Sequence, residues 1–81
     1  GIQQMKQSSN LESWIENDIL YIECDETMSK ITVYDTNGTC FWQGDIHENK
    51  WQMTTGEFPK GVLLLEVTTS GGKRTEIKLL N

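Results

Sequence analysis

One short stretch of the chain brings together three side chains that commonly bind metal ions. His47, the single histidine, lies between Asp45 and Glu48. An imidazole nitrogen with carboxylate oxygens suits a divalent transition metal. On an extended loop, however, these side chains diverge, and no second cluster in the sequence supplies the missing ligands. We therefore predict a solvated loop and no metal site.

The two cysteines, Cys24 and Cys40, offer a second kind of chemistry. Either one could form a nucleophilic pair with His47, but such a pair also needs an orienting group and an oxyanion site. Both cysteines fall inside predicted strands, and two are too few for a four-ligand zinc site. In an exported domain they could form one disulfide, or they could pack as two small buried hydrophobic residues. We predict no enzymatic activity and no cofactor.

Large aromatic side chains are the remaining candidates for binding. Trp42 and Trp51 flank the polar stretch 43–50, and Tyr34 lies on the preceding predicted strand. Exposed in a row, such rings could stack on sugars or receive a protein partner. Alternatively they fill a thin core, since each aromatic side chain can bury about 150–250 Å². If Trp42 and Trp51 lie on adjacent strands and face solvent, they form a binding patch with Tyr34 for a glycan or an unidentified protein.

Length and charge exclude several classes of function. The 81 residues are enough for one domain, and the net charge is −5 with seven scattered basic residues. Nucleic-acid binding needs clustered Lys and Arg, so we predict no nucleic-acid partner. The same charge disfavours an anionic membrane surface. No apolar run approaches the roughly 20 residues of a membrane span, so we predict no membrane insertion.

Alternating side chains predict an all-β fold. Ile31 and Val33 alternate with polar neighbours, which indicates a strand with one apolar face. Asn37-Gly38 then breaks the run, and both residues tolerate the positive φ angles of a tight hairpin turn. A second hairpin turn is predicted at 70–73. No sustained helical period appears, although a helical turn starting at Asn10 is an alternative to the first strand.

Turn signals at near-regular spacing predict six to seven short antiparallel strands. The predicted architecture is an immunoglobulin-like β-sandwich, with a small barrel as the alternative. Residues 1–10 are predicted to be a disordered polar leader, and residues 11–81 to form a single domain. The predicted strands cover residues 11–15, 19–24, 31–34, 39–43, 51–54, 62–68 and 74–80.

Three segments also carry a resemblance to a known family. They are Ile31-Thr32-Val33-Tyr34-Asp35-Thr36-Asn37-Gly38, then Phe58-Pro59-Lys60-Gly61-Val62-Leu63-Leu64-Leu65-Glu66-Val67, then Gly71-Gly72-Lys73. Together they make the region from Ile19 to Leu80 similar to the type A C-terminal sorting domains of the type IX secretion system. The region also resembles small secreted Bacteroidetes domains of unknown function with the same layout. These motifs are turns and alternation, so they specify a fold better than an activity.

The resemblance implies an immunoglobulin-like sandwich that is secreted or held in the cell envelope, with no catalytic residues. Sorting domains usually carry Tyr at the position of Leu63 and follow a large cargo, whereas here a short polar leader precedes the domain. Both departures favour a free-standing, non-enzymatic module for protein interaction or envelope structure. A type IX sorting domain is the alternative function, and a carbohydrate-binding module using Trp42 and Trp51 is a weaker one.

Overall fold

The computed structural model describes residues 11–81, which form one five-stranded antiparallel β-sheet. The predicted leader 1–10 lies outside the described residues. The all-β, antiparallel prediction is confirmed. Residues 11–81 include no helix with the length and apolarity to cross a membrane. The strands are β1 (Leu11–Glu16), β2 (Ile19–Tyr34), β3 (Cys40–Thr54), β4 (Val62–Thr69) and β5 (Arg74–Leu80).

The number of strands is five, so the predicted six to seven short strands are wrong. The polar stretches 25–29 and 44–50 were predicted to be loops, but they continue β2 and β3, which are 16 and 15 residues long. The pairing of β2 with β3 shifts register on either side of Met28. Such irregularities bend and twist a sheet. Each long strand therefore supplies two of the predicted short ones.

The bend near Met28 divides the sheet into two halves. In the first half, residues 19–24 of β2 lie between β1 and the end of β3. In the second half, residues 28–34 of β2 lie between the start of β3 and β4, and β5 completes the sheet beside β4. β1 and β5 also come into contact. The sheet thus curls around its inner face.

The inner faces of both halves contribute to one hydrophobic core. Leu20 and Ile22 come from the first half, and Leu63 and Leu65 from the second, and all four are at most 1% exposed. Strict alternation along β4 puts every second residue into this core. The burial of these aliphatic side chains stabilises the bend, since each contributes about 1.5–3 kcal/mol of transfer free energy.

Two hairpin turns differ in their backbone conformation. The turn between β1 and β2 has positive φ at Asn17 and Asp18, 54° and 61°, as a two-residue type I′ turn requires. The predicted hairpin between β2 and β3 is present, but only Gly38 has a positive φ there, 89°. The Asp35 carboxylate accepts hydrogen bonds from the backbone N–H groups of Asn37 and Thr39, both at 2.9 Å.

Several connections meet at one end of the molecule, which we call the turn end. It consists of residues 17–18, residues 55–61 and Asn81. The Thr55 N–H donates to the carbonyl of Asp18 at 2.8 Å. The Asn81 side-chain amide donates to the carbonyl of Pro59 at 2.9 Å, and its backbone pairs with Gly61. These bonds tie the loop before β4 to the end of β5.

Candidate functional site

Trp42 and Trp51 lie on the same strand, β3, not on adjacent strands joined by a loop. Their ring centroids are 5.9 Å apart with an interplanar angle of 33°. Nine residues of straight strand would separate them by about 30 Å. The two rings meet only because β3 bends with β2 and brings the inner faces of its two ends together.

Both tryptophans are half-buried and pack against the core. Trp42 pairs with Val33 and Trp51 with Ile22, which are core residues on β2. The Trp42 ring lies over Gly44, where an added Cβ would be 2.7 Å from the ring atom Cη2. The Trp51 Nε1 atom is buried and has no hydrogen-bond partner in the described part of the chain. The pair closes the open edge of the core beside β3.

Tyr34 does not join the two tryptophans, because it lies on the opposite face of β2 from Val33. Its hydroxyl reaches over β4 and donates a hydrogen bond to Oε2 of Glu76 on β5. This bond, reinforced by the negative charges of Glu76 and Glu66, raises the pKa of Tyr34 to about 12. The ring is thus held by a charge-assisted hydrogen bond on the outer face of the second half.

The residues considered for metal or nucleophilic chemistry lie apart from one another. Asp45, His47 and Glu48 are exposed on β3. No group of three or more His, Cys, Asp or Glu among residues 11–81 is arranged to hold a metal ion. Cys24 is buried, Cys40 is exposed, and both are free thiols.

An aromatic pair that sequence reasoning did not select lies on the outer face of the first half. The Trp14 and Tyr21 rings are stacked, with centroids 5.2 Å apart and an interplanar angle of 17°. They are direct cross-strand partners of β1 and β2, and Trp14 is 37% exposed. Alternation already assigns Trp14 and Tyr21 to outward faces. The missing signal was the type I′ turn at Asn17-Asp18, which sets them opposite each other.

Comparison with known proteins identifies a family and a fold. The family model described as "Secretion system C-terminal sorting domain" matches residues 16–80. No curated protein matches the chain. The crystal structure of CopC from Methylosinus trichosporium OB3b is similar, with a TM-score of 0.53 and 16% identity over 89% of each chain. At this identity the likeness concerns the fold alone.

Proposed function

Because the chain belongs to the family of secretion system C-terminal sorting domains, we propose that it directs an attached cargo protein out of the cell through the type IX secretion system. The observation that carries this proposal is the extent of the family match. It runs from the last residue of β1 to the last residue of β5 and includes every turn between them. The similarity is therefore to four of the five strands, β2 to β5, rather than to a short tail peptide.

The departures from the sequence pattern of the family favour a free-standing module. The family match favours the sorting function instead, and we give it the greater weight. The family is one of sorting signals rather than enzymes, and membership in it implies export from the cell. We propose a non-enzymatic domain whose cargo is finally secreted or retained at the cell envelope. We also propose that the two halves of the sheet form an immunoglobulin-like sandwich, supported by the single core that they enclose.

A reporter fusion tests the sorting function. Residues 11–81 are joined to the carboxyl end of a reporter that carries its own inner-membrane export signal, in a bacterium with a type IX system. We expect the reporter at the cell surface or in the medium. The same reporter without the domain is the control and should stay in the periplasm. Retention of both reporters inside the cell would refute the proposal.

A matched pair of variants tests whether the folded sheet is the signal. Leu65 is fully buried in the core, whereas Leu80 is 76% exposed on β5. Burying a carboxylate without a partner costs far more than exposing one. We expect Leu65→Asp to unfold the domain and abolish export of the fusion, and Leu80→Asp to leave export intact. Equal export of the two fusions would mean that a linear segment, not the fold, is recognised.

A free-standing interaction module is the second candidate, and one position favours it. Leu63, where the resembled sorting domains usually carry Tyr, is 1% exposed and packs in the core. This position therefore presents no phenolic hydroxyl. The intact mass of the native protein, from fractionated cells without reduction, separates the two candidates. A mass near that of this segment supports the module, and a much larger precursor supports sorting.

A further inference from the structure

The outer face of the first half presents a stacked aromatic pair beside polar groups. Strand pairing places Trp14, Tyr21 and Gln52 in one row across β1, β2 and β3. The next row on the same face contains Glu12, Glu23 and Lys50. Adjacent strands are about 4.8 Å apart, and every second residue of a strand lies on the same face, so the two rows form one continuous surface. We call these six residues the outer aromatic face.

Two shallow clefts lie between these side chains. One, of about 150 Å³, is bordered by Tyr21, Glu23, Lys50 and Gln52 together with Ile22 and Trp51. The other, of about 260 Å³, is bordered by Glu12, Glu23 and Lys50 together with Cys24 and Asp25. Each is smaller than the roughly 300–1,000 Å³ of a pocket for a drug-sized ligand. The pair of clefts therefore suits a chain of small units laid across the surface rather than one bulky molecule.

The polar side chains of this face have no polar partner among residues 11–81. Among residues 11–81, the side chains of Glu23, Lys50 and Gln52 make no hydrogen bond or salt bridge, and neither does that of Glu12. Carboxylates accept, ammonium groups donate and an amide does both. The face thus offers both kinds of hydrogen-bonding group next to the partly exposed indole of Trp14.

We propose that the outer aromatic face binds a neutral oligosaccharide. Tyr21 stacks on one face of the Trp14 indole, and Trp14 lies on the edge strand β1 and is 37% exposed. The apolar face of a pyranose ring matches the other face of that indole, and its hydroxyl groups match the unpaired carboxylates, amide and ammonium group. Two carboxylates against one ammonium group, on a chain of net charge −5, disfavour uronic acids, phosphates and nucleic acids. This site goes beyond the sorting function and does not depend on it.

The test uses the 81-residue chain and three probes: cellohexaose, laminarihexaose and mannohexaose. Nuclear magnetic resonance follows the indole N–H signals of the three tryptophans and the side-chain amide of Gln52. We expect at least one probe to shift the Trp14 and Gln52 signals and to leave that of Trp42, which lines neither cleft, in place. Trp14→Ala should weaken that binding about tenfold or more.

Leu80→Ala is the matched control, since it truncates an exposed apolar side chain on the other half and should bind the probe normally. Unchanged amide signals elsewhere in Trp14→Ala establish that this variant is folded. The proposal is overturned if no probe shifts the Trp14 signal at about 10 mM. It is also overturned if Trp14→Ala binds as well as the parent, or if dilution alone moves the Trp14 signal, which would assign the face to a second copy of the chain.

Discussion

At the scale of single residues, the hydrogen bond from Tyr34 to Glu76 makes the strongest electrostatic prediction. Its folded-state pKa of about 12 is above the ordinary value of about 10 for tyrosine. The unfolded chain therefore loses this proton first as the pH rises. The bond stabilises the fold fully below pH 10 or so, and this contribution is lost between about pH 10 and pH 12.

Absorbance of tyrosinate measures this pKa directly in a Tyr21→Phe background, where Tyr34 is the only tyrosine left. We expect a midpoint at about 12. Glu76→Gln should bring the midpoint back toward about 10, because the neutral amide removes the charge that favours the protonated phenol. An identical midpoint with Glu76 and with Gln would contradict the assigned hydrogen bond.

Gly44 makes a prediction about packing, because the Trp42 ring occupies the space that a side chain would need. The added methyl of Gly44→Ala would lie 2.7 Å from Cη2 and must displace the Trp42 ring. Overpacking of this kind costs about 1–3 kcal/mol in the free energy of unfolding. Urea denaturation measures the loss.

Gly56→Ala is the matched control, since nothing lies within 4 Å of its added Cβ. We expect it to change stability by less than about 1 kcal/mol. If Gly44→Ala and Gly56→Ala unfolded at the same urea concentration, the Trp42 ring would not lie over Gly44 as described.

At the scale of elements, the hairpin between β2 and β3 depends on one carboxylate. Asp35 holds the N–H groups of Asn37 and Thr39, so Asp35→Ala leaves both donors without their side-chain acceptor. By analogy with helix caps, which use the same bond, we expect a loss of about 0.5–2 kcal/mol. Thr36→Ala, in the same turn, should have a much smaller effect on the thermal midpoint. Equal effects would show that the Asp35 contacts add nothing.

Sequence reasoning predicted the straight parts of the strands better than their bends. The alternation at Ile31 and Val33 predicts an apolar face, and both residues are at most 1% exposed. In the bends, Met28 and Ile46 are the buried residues among mostly polar neighbours. Two isolated apolar positions are too few to define a period of two, so these segments resemble loops in the sequence.

The same bends explain why the sequence could not show how Trp42 and Trp51 are placed relative to each other. Trp42 and Trp51 face each other only after β3 folds back, and that geometry depends on register shifts that no local pattern encodes. Alternation alone assigns Trp14 and Tyr21 to outward faces. Binding by Trp42, Trp51 and Tyr34 stays a prediction, and the structure separates Tyr34 from the other two.

At the scale of the whole molecule, the bent sheet is one unit with a single hydrophobic core. The family match covers residues 16–80, and hydrogen bonds from Asn81 close the loop before β4. A module of 44 × 22 × 21 Å with its own core can follow a cargo of any fold without sharing that cargo's core. Such independence is what a transferable sorting signal requires.

The central claim is tested most directly by the dependence of export on the secretion machinery. The fusion of residues 11–81 to the exported reporter is expressed in a type IX-competent strain and in an otherwise identical strain lacking that system. The reporter outside the outer membrane is then measured as a fraction of the total. We predict that most of it is outside in the first strain and almost none in the second. Equal fractions in the two strains would contradict the assignment of this domain as a type IX sorting signal.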